Sequence, residues 1–138
     1  MGQRVTTISG QPEYIAPTAD RRRFQVLCER DLTGSKNLAA GVVVLPPGQC
    51  QPSSARHPET EEVYFVLSGR GTVELDGVSL DIGEGSLAYI PIGAEHRLLN
   101  SDPANDLRVL WANTPPLEDY KPALEGWEMR ASDPDGKE

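Results

Sequence analysis

At 138 residues, with 38% hydrophobic and 25% charged content, the chain has material for one ordinary globular core without cross-links. Its net charge of −8 argues against nucleic acid, whose binders concentrate positive charge to displace counterions from phosphates. No apolar run approaches the roughly 20 residues that cross a bilayer, and the first ten residues lack the basic-then-apolar pattern of a secretory leader; a cytoplasmic protein with no membrane partner is expected.

Thirteen glycines and twelve prolines are spread along the chain, and the β-branched and aromatic runs between them predict strands of a sandwich or barrel. In chain order these are Phe24–Cys28, Leu38–Leu45, Val63–Leu67, Gly71–Leu75, Val78–Ile82, Ser86–Ile90, His96–Asn100 and Leu107–Ala112. Asp76-Gly77 suits a type I′ hairpin, whose two central residues both need φ > 0. Pro46-Pro47-Gly48, Pro91-Ile92-Gly93 and Asp102-Pro103 mark other reversals. The best helical stretch, Leu117–Met129, is broken by Pro122 and Gly126, leaving at most one turn near Leu117–Tyr120. The fold class is therefore all-β in a single domain, with residues 1–37 as an N-terminal arm and outer strand, 38–113 as the main barrel, and 114–138 as an extension ending in a loose polar tail. Cys28 and Cys50 are expected as free thiols. Arg21-Arg22-Arg23, set among Asp20, Glu29 and Asp31, reads either as a solvated strand end or as a phosphate or carboxylate site.

The chemistry concentrates on the only two histidines, His57 and His96. Imidazole is the commonest ligand for first-row metals. Glu62 opens the strand after His57, and strand alternation puts Glu62, Tyr64 and Val66 on one face and Val63, Phe65 and Leu67 on the other. A carboxylate aligned with Tyr64 and Val66 points inward, where an ionised group must be paired or must ligate a metal. Two imidazoles and one carboxylate form a facial set with open coordination positions.

From Gly85 the chain runs GSLAYIPIGAEHRLLN, satisfying G-x5-P-x-G-x2-H-x3-N at Gly85, Pro91, Gly93, His96 and Asn100. From His57 it runs HPETEEVYFVLSGRG, satisfying H-x4-E-x6-G at His57, Glu62 and Gly69. These segments resemble the two motifs of the cupin superfamily, in its small single-domain form, over roughly Leu38 to Ala112. The resemblance implies an antiparallel double-stranded jelly-roll barrel holding one divalent ion (Fe, Mn, Ni or Zn) on His57, Glu62 and His96. It departs at one position: the first motif normally reads H-x-H, and here its first histidine is Ala55. Three readings stay open: a three-ligand site, a replacement ligand from Gln51, Ser54 or Cys50, or a barrel that has lost its metal.

The resemblance further implies a small-molecule substrate that is polar and oxygen-rich. Glu62 and Tyr64 are the candidate catalytic groups, and a dioxygenase is favoured over an oxygen-independent isomerase, cyclase or lyase and over a non-catalytic binding barrel. A homodimer is implied through outer faces, with Val63, Phe65, Leu67 and the strand around Phe24 as candidates. Asn100 is expected to fix backbone, Arg56 to lie on the surface, and Trp111 and Phe24 to be ordinary apolar packing.

Overall fold

The computed structural model describes residues 2–117 and 124–132. Two antiparallel sheets face one another as a jelly roll, without closing into one continuous barrel. The larger sheet has the order β10-β1-β2-β3-β9-β4-β7 and the smaller β6-β5-β8. The strands are β1 Glu13–Ile15, β2 Arg23–Cys28, β3 Ala39–Leu45, β4 Glu61–Ser68, β5 Arg70–Leu75, β6 Val78–Gly83, β7 Leu87–Ile90, β8 His96–Leu99, β9 Leu107–Thr114 and β10 Glu128–Arg130. Each of the eight predicted strands is present to within two residues at either end. Among the described residues, no helix is long and apolar enough to cross a membrane.

Three short elements had no sequence signal. A single helical turn, α1 (Arg30–Thr33), is capped by the Glu29 side chain on Leu32 N and closed by Gly34 at φ 77°. Strands β1 and β10 are three residues each and pair with one another. Glu128–Arg130 lies partly in the stretch read as helical and is instead extended, because its backbone completes the edge of the larger sheet beside β1. The possible turn at Leu117–Tyr120 and most of the polar tail lie outside the described residues.

The Asp76-Gly77 hairpin forms as expected, with φ 48° and 81° and Leu75 opposite Val78. Alternation then sorts the larger sheet into rows that cross the strands. One inward row carries Phe24, Val43, Val109 and Val66; the next carries Gly41, Trp111, Tyr64 and Ala88; the third carries Ala39, Asn113, Glu62 and Ile90. Against these the smaller sheet places Val73 and Leu98, both fully buried. Gly41 is required in its row: a Cβ there would meet the Gln25 carbonyl and the Trp111 ring, so the bare backbone lets the indole lie across β3 and stack on Phe24 at 5.2 Å, 5° from parallel. Phe24 is thus inside, as ordinary apolar packing, since its position in β2 is in phase with Val26 and pairs with Val43.

Asn100 does fix backbone. Its Nδ2 donates to the carbonyls of Leu45, Pro46 and Asn105, and its Oδ1 accepts from Asp102 N. Both cysteines are free.

Candidate metal centre

Strand β4 buries alternate residues, and Glu62, Tyr64 and Val66 turn inward while Val63, Phe65 and Leu67 turn outward. Glu62 is 7% exposed. His96 opens β8 and is 2% exposed. His57 sits on the loop before β4, half-buried, with its ring centroid 5.0 Å from that of His96. The loop is held there by the second motif: the turn at Pro91–Gly93, with Gly93 at φ 78°, donates Gly93 N–H to the His57 carbonyl at 2.9 Å. One ligand atom from each of His57, Glu62 and His96 lies within 4.8 Å of the others.

The side-chain chemistry inside this cluster suits a cation. His96 Nδ1 lies 3.1 Å from the Ala94 carbonyl, and a carbonyl can only accept, so the proton sits on Nδ1. Nε2 then faces Glu62 Oε1 at 3.4 Å. With Nε2 unprotonated, two lone pairs would oppose each other in a buried space unless a cation lies between them. The separation suits one: ligand atoms about 2.0 to 2.2 Å from a shared ion stand about 3.0 to 3.5 Å apart. Without an ion the histidine must take up the charge itself. Burial disfavours its imidazolium, but the Glu62 carboxylate and the Ala94 carbonyl outweigh that and raise its pKa above the ordinary histidine value.

The other Glu62 oxygen accepts from Asn113 Nδ2 at 3.3 Å. Tyr64 is 5% exposed and lies edge-on to His96, 6.0 Å between centroids. Burial, followed by the charge and hydrogen bond of Glu62, lifts its phenol well above the usual tyrosine value against a smaller opposing bond from Gln51. The hydroxyl is therefore neutral, with its proton directed at the Glu62 carboxylate.

Ala55, at the sequence position of the first motif's missing histidine, lies beside His96 and lines the cavity. It pairs with His96 in an antiparallel bridge, both N–H···O bonds at 2.8 Å, so the two side chains share one face. The replacement ligands fare poorly. Gln51 lines the cavity, but its Oε1 accepts from Leu98 N at 2.9 Å. Cys50 faces Arg97 Nη2 at 3.0 Å, and neither it nor Ser54 lines the cavity. Arg56 is on the surface, donating to the Gly93 carbonyl.

Above the cluster lies a cavity of about 310 Å³. Its upper wall is aromatic and apolar, formed by Phe24, Val43, Trp111 and Trp127, and the buried Trp111 Nε1 has no hydrogen-bond partner among the described residues. Arg22 enters at the mouth, stacked 4.9 Å from the Trp127 ring centroid and bonded to Asp20 at 2.8 Å. Sequence reasoning had assigned none of these four aromatic and basic residues to the cavity. Asn113 was also missed, although a polar residue in phase with Trp111 and Val109 was a legible signal.

Residues 41–113 match the family described as "Cupin domain". The chain belongs to the cupins. An uncharacterised protein of Streptomyces coelicolor is 33% identical to this cupin over 81 residues, 59% of this chain and 73% of the relative. The dimethylsulfoniopropionate lyase DddW of Ruegeria pomeroyi is 33% identical over 81 residues, 58% of this chain and 51% of the lyase. This cupin therefore spans about half of that enzyme. Among solved structures, a predicted oxalate decarboxylase of Thermotoga maritima matches with a TM-score of 0.70 at 21% identity, covering 83% of this chain and 100% of that one. KdgF from a Halomonas species matches with a TM-score of 0.69 at 16% identity, covering 87% and 99%.

Proposed function

We propose that this cupin is a metal-dependent enzyme that transforms a small organic molecule through its oxygen atoms, with His57, Glu62 and His96 holding one divalent ion of the Fe, Mn, Ni or Zn kind. The observation carrying this is the buried approach of His96 Nε2 to Glu62 Oε1 at the base of a cavity. A bound ion there would supply Lewis-acid activation of substrate oxygens. The remaining work falls to the chain. Phe24, Trp111 and Trp127 would exclude water and bind an apolar body, so the substrate is pictured with a chelating oxygen end and a less polar remainder. The neutral Tyr64 hydroxyl, bonded to Glu62, would turn from that carboxylate to donate to a substrate oxygen.

We read the reaction as a dioxygenation, because the Ala55 flank adds no protein donor and so leaves room beside a chelating substrate. A lyase is the second reading, favoured by the 33% identity to the Ruegeria enzyme. The same reading has the protein acting in the cytoplasm as a homodimer joined through the outward Val63, Phe65 and Leu67.

Metal analysis of protein purified without chelator tests the first claim: about one ion per chain is expected, and His96→Ala should lose it. Protein that is metal-free, or a variant that keeps its ion, overturns the proposal. Oxygen uptake with diketones, flavonoids or catechols, against release of an unsaturated product under nitrogen, then separates the two reactions.

A further inference from the structure

The basic run Arg21-Arg22-Arg23 divides in the fold. Arg21 pairs with Glu128 on the exposed surface, Arg22 turns to the central cavity, and Arg23 goes to the opposite face of the larger sheet. There it stands in one row with Val44 and Arg108, on three neighbouring strands. Adjacent strands lie about 4.8 Å apart, so the two arginines rise about 10 Å from each other on either side of a valine. The segment holding Ile8, Ser9 and Gln11 passes over this row, fastened by Gln25 Nε2, which donates to the Ile8 and Gln11 carbonyls. Under it is a separate cavity of about 190 Å³, lined by Arg23, Arg108, Arg130, Glu13 and Gln25 among others.

Its charges do not balance. Arg23 Nε and Arg130 Nη1 both bond to Glu13, at 3.2 and 3.3 Å, and Arg23 Nη2 reaches Asp106 at 3.3 Å. Arg108 is half-buried, and its guanidinium has no ion pair or hydrogen bond among the described residues. Three guanidinium groups and one carboxylate thus line a concave site in a chain of net charge −8. A half-buried guanidinium with its donors unused, next to another cation, invites an acceptor.

We infer that Arg108 and Arg23 form a binding site for a small oxyanion on the outer face of the larger sheet, independent of the His57–Glu62–His96 cluster on the inner face. A guanidinium fork matches a phosphate or a carboxylate equally, and Glu13 already shows the geometry for a carboxylate while competing with any second anion.

Calorimetric titration at about 10 mM ionic strength, where surface charge is least screened, tests this with inorganic phosphate and with citrate as separate probes. Saturable heat with either supports the site and assigns its anion class. Arg108→Gln should weaken binding about tenfold, a loss expected for one charge-assisted contact, while Glu13→Gln should strengthen it and Arg21→Gln should leave it unchanged. Amide shifts in two-dimensional NMR should cluster on Gln25, Val44 and Arg108. No heat with either probe, or heat that Arg108→Gln leaves intact in a variant with wild-type amide spectra elsewhere, overturns the inference.

Discussion

Replacing Ala55 with histidine should convert the three-donor cluster into a four-donor one. The two 2.8 Å backbone bonds between Ala55 and His96 make them a hydrogen-bonded antiparallel pair, with Cα atoms about 5.5 Å apart and side chains side by side. An imidazole at 55 would therefore rise next to that of His96 and face the same cavity. A structural zinc site of four ligands is worth about 10 to 16 kcal/mol, or about 3 kcal/mol per ligand. Ordering the new side chain costs about 1 kcal/mol, which leaves about 2 kcal/mol, or about thirtyfold tighter binding. Competition between the protein and a chromophoric chelator for Zn(II) or Co(II) measures this directly, with Ala55→Leu as a control of similar bulk and no donor. Turnover should fall as affinity rises, because the new ligand occupies the side proposed for substrate. Equal affinity in Ala55→His and wild type would refute the shared-ion geometry.

Two further outcomes follow from packing and from charge. Gly41→Ala drives a methyl into the Gln25 carbonyl and the Trp111 ring and should cost about 1 to 3 kcal/mol in urea unfolding, with loss of the near-ultraviolet signal of the Phe24–Trp111 stack; unchanged stability would mean the indole does not lie over β3. Asp20 is desolvated, yet its bonds from Thr18 and Arg22 hold its carboxyl below the ordinary 3.8, so its contribution is present above that value and lost as the pH falls through the lowered one. Asp20→Asn should therefore narrow the gap in stability between pH 6 and pH 3, and an unaltered pH profile would count against the Asp20–Arg22 pair.

The fold was legible wherever residues alternated or turned under steric compulsion. Val63 to Leu67 alternates in burial as its pattern demands, and Asp76-Gly77 takes the two positive φ angles its residues favour. The convergence of His57, Glu62 and His96 was also readable, because motif spacing and strand phase agreed. Strands β1 and β10 were invisible for a physical reason: three residues are too few to show an apolar period, only Ile15 among the six is buried, and β10 is held extended by a partner more than 110 positions away. The cavity wall was illegible for a related reason. Phe24 and Trp127 carry no polar signature, and only the order of strands in the larger sheet brings β2 and the segment before β10 over the mouth of the site.

The bond from Gly93 N–H to the His57 carbonyl, reinforced by Arg56 donating to the Gly93 carbonyl, tethers one half of the cluster to the other largely through main-chain groups. The main-chain part of that tether does not depend on the identity of the neighbouring side chains, provided residue 93 tolerates a left-handed backbone. A scaffold of this kind can gain or shed a donor, as at position 55, and keep the frame on which the others are mounted. New ligand sets are in that sense cheap for such a protein to try.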